Sequence, residues 1–502
     1  MSVAYTKKRK LMTRRGLVRL HLSIRRCEQA SCACFHHPYH PEAEGHWALP
    51  EQEFGLDVVL RVGQLRYREH RSCTEIHAQL EQESVTLALR TTQNLLAQYD
   101  LLLSLALETL PERTAKLTAQ GRVILAVDGL QPDVGHEVLW VVRDVLSGTI
   151  LCARSLLSSA RAELRALIED VAAALPVPVA AVLSDGQSSL RDAVAQALPG
   201  VPHQLCQFHY LREAARPLWE ADRHAKKELR KRVRDVRGIE RSAEQQADAA
   251  GEVVLGYCAA VRSALTDDAR PPLAFAGLRL AERLQQIHDS LATLGKKGGP
   301  PPPLKRLQGI LERALASSAP LWPEVIQGAQ WVRQATAILN NADNASARTV
   351  VRRYTKWLRI LEQEHMPDAL RASAQHFLRV TRSYGNALFH CYRIADLPRT
   401  NNALEQTFGR VRYHERRASG RKVASPSLVT DGSVRVPASL YTRAEVVTVP
   451  MLASVPHERW RARRAELERQ HKARRQRCRF RKHPERYLAL LERAAAKLTL
   501  LS

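Results

Sequence analysis

The spacing of hydrophobic positions changes several times along the chain, and each change marks a boundary. Residues 57–107 have helical spacing. Ile76 and Leu80 fall at i and i+4 on one predicted helix, and Leu95, Leu96 and Tyr99 share a face of the next, with a short break near Glu83 and Ser84. From residue 121 the period becomes that of strands. "RVILAVDG" is a compact apolar run ending in Asp-Gly, and "EVLWVVRD" and "GTILCARSL" follow with a Ser-Gly turn between them, as in a meander. Residues 161–175 read as an amphipathic helix, "PVAAVLSDG" as a fourth strand, 188–198 as a helix and "HQLCQFH" as a fifth short strand. That order is mixed α/β.

After His209 the pattern is helical as far as Leu397–Pro398, broken by "GKKGGPPPPLK" (295–305), which predicts an exposed loop. "RTNNALEQTFGRVRYHERRASGRK" then starts another helix with a basic end. Residues 423–455 are rich in Ser, Val and Thr and aperiodic, so a linker or loose strands are expected. The last stretch, 457–498, sets Trp460, Leu467, Phe480, Tyr487, Leu488 and Leu491 sparsely among cations.

Charge changes the picture. Lys and Arg total 76 against 51 Asp and Glu in 502 residues, a net +25. Such an excess points to a polyanion, most simply nucleic acid, because cations gain affinity by releasing condensed counterions. The excess is uneven. Residues 1–26 carry nine cations and no acid, and 457–486 carry 13 cations against four acids. The longest apolar run, Val171–Leu183, has 13 residues and two prolines, short of the ~18 that a membrane span needs. No secretory signal is evident, and nine cysteines, an odd number, suggest reduced thiols. A cytoplasmic, nucleoid-associated protein is expected.

Two segments have candidate binding chemistry. Cys27, Cys32, Cys34, His36, His37 and His40, with His46 beyond them, could hold a structural Zn²⁺ through thiolate and imidazole. Their spacing matches no standard finger and no second CxxC pair follows to close the site, so a His-rich surface loop is the favoured reading. In 57–107 the polar run Arg90, Thr91, Thr92, Gln93 and Asn94 opens the second helix, an arrangement that resembles a helix-turn-helix reader of DNA. A plain helical hairpin has the same spacing.

Two aspartates occupy equivalent places. Asp128 ends the first predicted strand and Asp185 the fourth, and each precedes Gly. Ligands of α/β sheets collect at such carboxyl ends, and carboxylates are hard-oxygen donors for Mg²⁺. Taken singly, Asp-Gly is an ordinary turn and Asp185 could cap the helix after it. Asp133 and Asp144 are backup candidates.

"LAVDG", "LSDGQ" and "TNNALEQTFG" stand in an order that resembles the catalytic core of DDE transposases, which have an RNase H-like fold. "CQFH" resembles the C-x-x-H motif of the Mutator-like bacterial group, as does the long helical insertion before the Glu. The resemblance spans residues ~121–422 and rests most on "TNN-x-LE" and "RR-x-x-GRK". It implies catalytic Asp128, Asp185 and Glu405 holding Mg²⁺ (or Mn²⁺), with Cys206, His209, Asn401 and Asn402 near the site. Glu405 also stands at capping-box spacing from Asn402, and Cys206 and His209 also fit a buried Cys with a His at a strand end. Arg410, Arg412, Arg416, Arg417, Arg421 and Lys422 would meet phosphates, or form a solvated helix face.

The expected fold is α/β and α: an RNase H-like mixed sheet interrupted by a large helical insertion. Its parts are a basic arm with the Cys/His-rich segment (1–50), a helix-turn-helix-like region (51–112), the first part of the core (113–212), the insertion (213–396), the Glu helix (397–422), a linker (423–456) and a basic helical tail (457–502). DNA would be gripped by the N-terminal arm with 57–107, the basic helix Lys226 to Arg237 and the C-terminal helix. The implied function is an insertion-sequence transposase that cleaves and joins double-stranded DNA, at transposon ends and target, as a dimer or larger homo-oligomer without a membrane partner. The alternatives are a transposase that has lost cleavage and acts as a DNA-binding regulator, or an RNase H-like nuclease such as a resolvase.

Overall fold

A computed structural model describes residues 2–131, 137–245, 248–296, 299–421 and 426–499. The expected basic arm is instead a β-ribbon. Strand β1 (Ser2–Thr13) pairs antiparallel with β2 (Gly16–Arg26), and the two-residue β3 (Pro38–Tyr39) joins the far edge of β2. Gly16 closes the turn at φ 105°, a backbone region that side chains disfavour. The ribbon is fixed because Leu11, Leu22 and Ile24 lie on one face and are buried. Met12 N–H donates to the Glu53 carbonyl and Gly55 N–H to the Met12 carbonyl, both at 2.8 Å. Alternating cations mask this period-2 apolar set in the sequence.

The second sheet contains all five predicted strands: β4 (Val123–Leu130), β5 (Val138–Asp144), β6 (Ile150–Leu156), β7 (Val179–Ser184) and β8 (His203–Leu205), in the order β6-β5-β4-β7-β8. β4, β5 and β6 form the antiparallel meander. β8 is shorter than predicted, since Cys206 caps the helix Gln207–Ala214. The two faces of β4 enter different cores. Val123, Leu125 and Val127 pack with Leu164, Leu167, Ile168, Leu190 and Val194 of the two helices that flank β7 in sequence. Ala126 packs with Leu404, Phe408, Val411, Leu428 and Val436.

Where 423–455 was expected to be a linker or loose strands, residues 426–453 are largely helical. The helices are Pro426–Thr430, Gly432–Ala444 and Val449–Ala453. Val434, Ala438, Leu452 and Val455 share a core with the helices Leu56–Tyr67, Cys73–Gln82 and Leu89–Glu108. Here burial overrides the weak helix propensity of Ser, Val and Thr and even an internal Pro437.

The chain divides into two units, one made of 1–182, 188–201 and 402–502, the other of 183–187 and 202–401. The second is helical, with its own core around Tyr210, Trp331, Tyr354 and Phe377. The basic helix expected from Lys226 to Arg237 ends at Arg232, and a new one starts at Val236. Lys226 is buried and bonds Asp268 at 2.8 Å, so it faces protein rather than a partner.

Candidate active site

Within the first unit, Asp128 does not end its strand as expected: β4 continues through Gly129 and Leu130, which pair with Trp140 and Leu139. Asp128 is half-buried opposite Val141, with its Oδ1 accepting the Gly129 N–H at 2.8 Å. Strand alternation puts it on the same face as Ala126. Glu405 is half-buried in the first turn of the helix Asn402–Ser419, where the amide ends favour a carboxylate. Its neighbour Leu404, with Phe408, packs in the cluster that contains Ala126. The sheet therefore carries the Asp128 strand position and the Glu405 helix on one side.

In the second unit, Asp185 follows β7 directly and is half-buried, and its Oδ1 accepts the Gln187 N–H at 3.1 Å. Ser184 Oγ donates to the Asp185 carbonyl at 2.8 Å and lies 2.8 Å from His203 Nε2. Gly186 is pressed against the Tyr384 ring, and a Cβ there would collide with the Tyr384 hydroxyl. Cys206, fully buried, ties three segments together. Its N–H donates to the Ser184 carbonyl at 2.8 Å, and its Sγ accepts the Asn401 N–H at 3.4 Å. The next residue, Gln207, donates its N–H to Arg399 at 2.9 Å. The C-x-x-H cysteine thus anchors the end of the Asp185 strand and the stretch that leads into the Glu405 helix. His209 is half-buried in the first turn of its helix, Asn401 is buried and Asn402 exposed.

Sequence reasoning missed Gln204, Gln207 and Tyr384. Gln204 and Gln207 both donate to the Leu388 carbonyl, and Cys391 N–H donates back to Gln204. Their spacing of three beside "CQFH" was the available signal. Asp144 is fully buried. Although burial pushes its carboxyl up, bonds from Ser147, Gln120 and Ile124 hold it below the ordinary carboxylate range, so it staples a turn. Asp133 and Lys422 lie outside the described residues.

Arg410, Arg412, Arg416, Arg417 and Arg421 are exposed along the outer side of the Glu405 helix and just past its end. Of the run at 90–94, Arg90, Gln93 and Asn94 are exposed and Thr91 is half-buried. Thr92 is fully buried, its hydroxyl without a hydrogen-bond partner among the described residues, so it packs in the helical core and is not presented to DNA. Part of the C-terminal charge is internally engaged. Arg474 and Arg477 bond Glu137, and His471 lies 2.6 Å from Asp431.

In the Cys/His segment all three thiols are free. Cys32 Sγ accepts the Cys34 N–H at 3.4 Å, and His36 N–H donates to the Cys27 carbonyl at 2.9 Å. The Tyr39 hydroxyl is pushed up to about 12, first by its bond with Cys34, with Cys32 and Cys27 adding to it. His40 is engaged by Glu44 at 2.8 Å. Among the described residues, no group of three or more His, Cys, Asp or Glu side chains is gathered to hold a metal ion. Taken singly, Asp128, Asp185 and Glu405 each offer the hard carboxylate oxygens that a divalent cation prefers. No helix among the described residues is long and apolar enough to cross a membrane.

No curated protein matches the chain. Residues 173–287, the stretch containing Asp185, Cys206 and His209, match the family model of Mutator-family transposases, and this supports a transposase of the Mutator-like group.

Proposed function

We propose that the chain is a DDE-type DNA transposase with an RNase H-like core, in which Asp128, Asp185 and Glu405 are the catalytic carboxylates. The observation that carries this reading is the placement of each one: Asp128 in the first strand of the five-stranded sheet, Asp185 directly after the fourth in sequence, and Glu405 in the first turn of a helix packed on the first. The Mutator-family match over 173–287 supports it independently at the second aspartate.

The carboxylates would hold Mg²⁺ or Mn²⁺, which when bound activates the attacking water or 3′-OH and stabilises the leaving oxygen of an in-line displacement. Anchoring by Cys206, and the seat of Gly186 on Tyr384, hold the Asp185 turn in place. The exposed arginines from Arg410 to Arg421 neutralise backbone phosphates, which positions DNA without reading its sequence. No Ser or Tyr nucleophile is needed. Processing two transposon ends together calls for at least two copies of the chain.

The test incubates the protein and Mg²⁺ with duplex DNA carrying the element's terminal inverted repeats, beside an Asp185→Ala variant. Metal-dependent nicking at the ends that the variant lacks is expected. Specific binding without nicking would leave a DNA-binding regulator, and cleavage of branched DNA without preference for the ends would leave a resolvase.

A further inference from the structure

The two faces of the β1–β2 ribbon differ sharply. Leu11, Leu22 and Ile24 lie on the buried face. Residues paired directly across an antiparallel ladder share a face, so the register Lys8↔His21 and Lys10↔Arg19 groups those four on the opposite face, with Thr6 and Arg25. All six are exposed.

On the inner face Lys7 is exposed, but Arg9 is taken up by the fold. Arg9, on the inner face, is captured by Glu44 and by the carbonyls of Leu49 and Gln52. Among the described residues, Lys8, Lys10, Arg19 and Arg25 have no carboxylate partner. Like charges directly opposite on a ladder destabilise it, yet Lys10 and Arg19 are so placed. An external anion would relieve that repulsion.

We propose that this outer face is a docking surface for duplex DNA, seated as a two-stranded ribbon in the major groove. Two strands lie about 4.8 Å apart, and the groove, about 12 Å wide, admits such a ribbon. Twelve residues of strand, at ~3.3 Å each, reach about one helical turn of B-DNA. Lys8, Lys10, Arg19 and Arg25 meet the flanking phosphates, while Thr6 and His21 face the base edges. The choice of DNA over another polyanion rests on the transposase reading; the charge pattern of the face does not.

The experiment measures binding of a fluorescent 30-bp duplex by the full chain across a salt series. The wild type is compared with Lys8→Ser/Lys10→Ser/Arg19→Ser/Arg25→Ser and with the charge-matched Lys305→Ser/Arg306→Ser/Arg313→Ser/Arg348→Ser. Each lost phosphate contact flattens the logarithmic salt slope by about 0.9, so the ribbon variant is expected to lose three to four from it, roughly 100-fold less change in affinity between 50 and 200 mM salt. The charge-matched variant keeps most of the wild-type slope. Guanine N7 atoms, which line the major groove, are protected from methylation by the wild type and not by the ribbon variant.

Equal slopes for the two variants, no binding of duplex by the wild type, or unchanged N7 protection would each overturn the proposal. So would selective loss of binding to anionic vesicles while DNA binding persists. A chain that binds through the ribbon but never nicks defeats the catalytic reading and leaves this one standing.

Discussion

At the scale of single residues, the candidate site depends on close contacts more than on charge. Gly186 follows Asp185 and lies against Tyr384. Gly186→Ala forces the ring or the turn to move, an overpacking that costs about 1–3 kcal/mol. Urea unfolding should register that loss, and Gly186→Ala/Tyr384→Leu should recover part of it. Cys206 acts through its sulfur as an acceptor. Cys206→Ala removes one acceptor of the buried Asn401 N–H, a net loss of about 0.5–1.5 kcal/mol, and hydrogen exchange of the Asn401 amide should accelerate, whereas Cys206→Ser should keep it slow. The sequence marked both places by their motifs, Asp-Gly and C-x-x-H. It did not reveal that the cysteine bonds residues near 184 and 401, because that contact joins segments almost two hundred positions apart.

At the scale of elements, the Glu405 helix is joined to its neighbours by a buried polar network. His414 Nδ1 lies 2.8 Å from His70 Nδ1. Arg435 reaches Glu415 at 3.1 Å and Asp100 at 3.7 Å, and Tyr67 donates to Asp100 at 2.5 Å. Burial, with the positive charges of Arg66, Arg435 and Arg443 nearby, drives His414 down to about 2. A histidine depressed in the folded state contributes stability that is full above its unfolded value, near 6.5, and is lost as pH falls below it, by about 1.4 kcal/mol per pH unit. Burial raises Asp100 to about 7, despite Arg435, and acts with the opposite sign in the same window. His414→Gln isolates the first effect. Its stability relative to the wild type should increase steadily from pH 6.5 to pH 5 in denaturant titrations, and a constant difference would remove His414 from the account.

Elements also show where periodicity suffices. The strands β4, β5 and β7 were visible as compact apolar runs, because strands buried on both faces need no alternation. The ribbon at 2–26 was hidden because its polar face is a file of cations that dominates the composition. The helices from 426 to 453 were hidden for a different reason: their stability comes from contact with residues 56–108, not from local preference.

At the scale of the whole molecule, each unit has a core of its own. Two-state unfolding is then not expected. Calorimetry should give an unfolding enthalpy larger than the van't Hoff value, and a ratio of one would mean that the cores melt together. The net charge of +25 is likewise a sum of unlike parts. Some C-terminal arginines and Lys226 are paired within their own units, whereas the outer ribbon face and the outer face of the Glu405 helix leave cations exposed.

What the sequence alone determined was the order of elements from 57 to 419, the place of Asp185 just after a strand and of Glu405 in the first turn of a helix, and the concentration of positive charge in the two ends of the chain. These depend on local period, turn chemistry and charge, which neighbours in sequence fix. Only the tertiary structure decided which cations remain available, what Cys206 and Gly186 are for, and that the first 26 residues are a ribbon and the supposed linker is core. Those outcomes depend on which distant segment covers a side chain, and burial against such a partner outweighs the local preferences that a sequence displays.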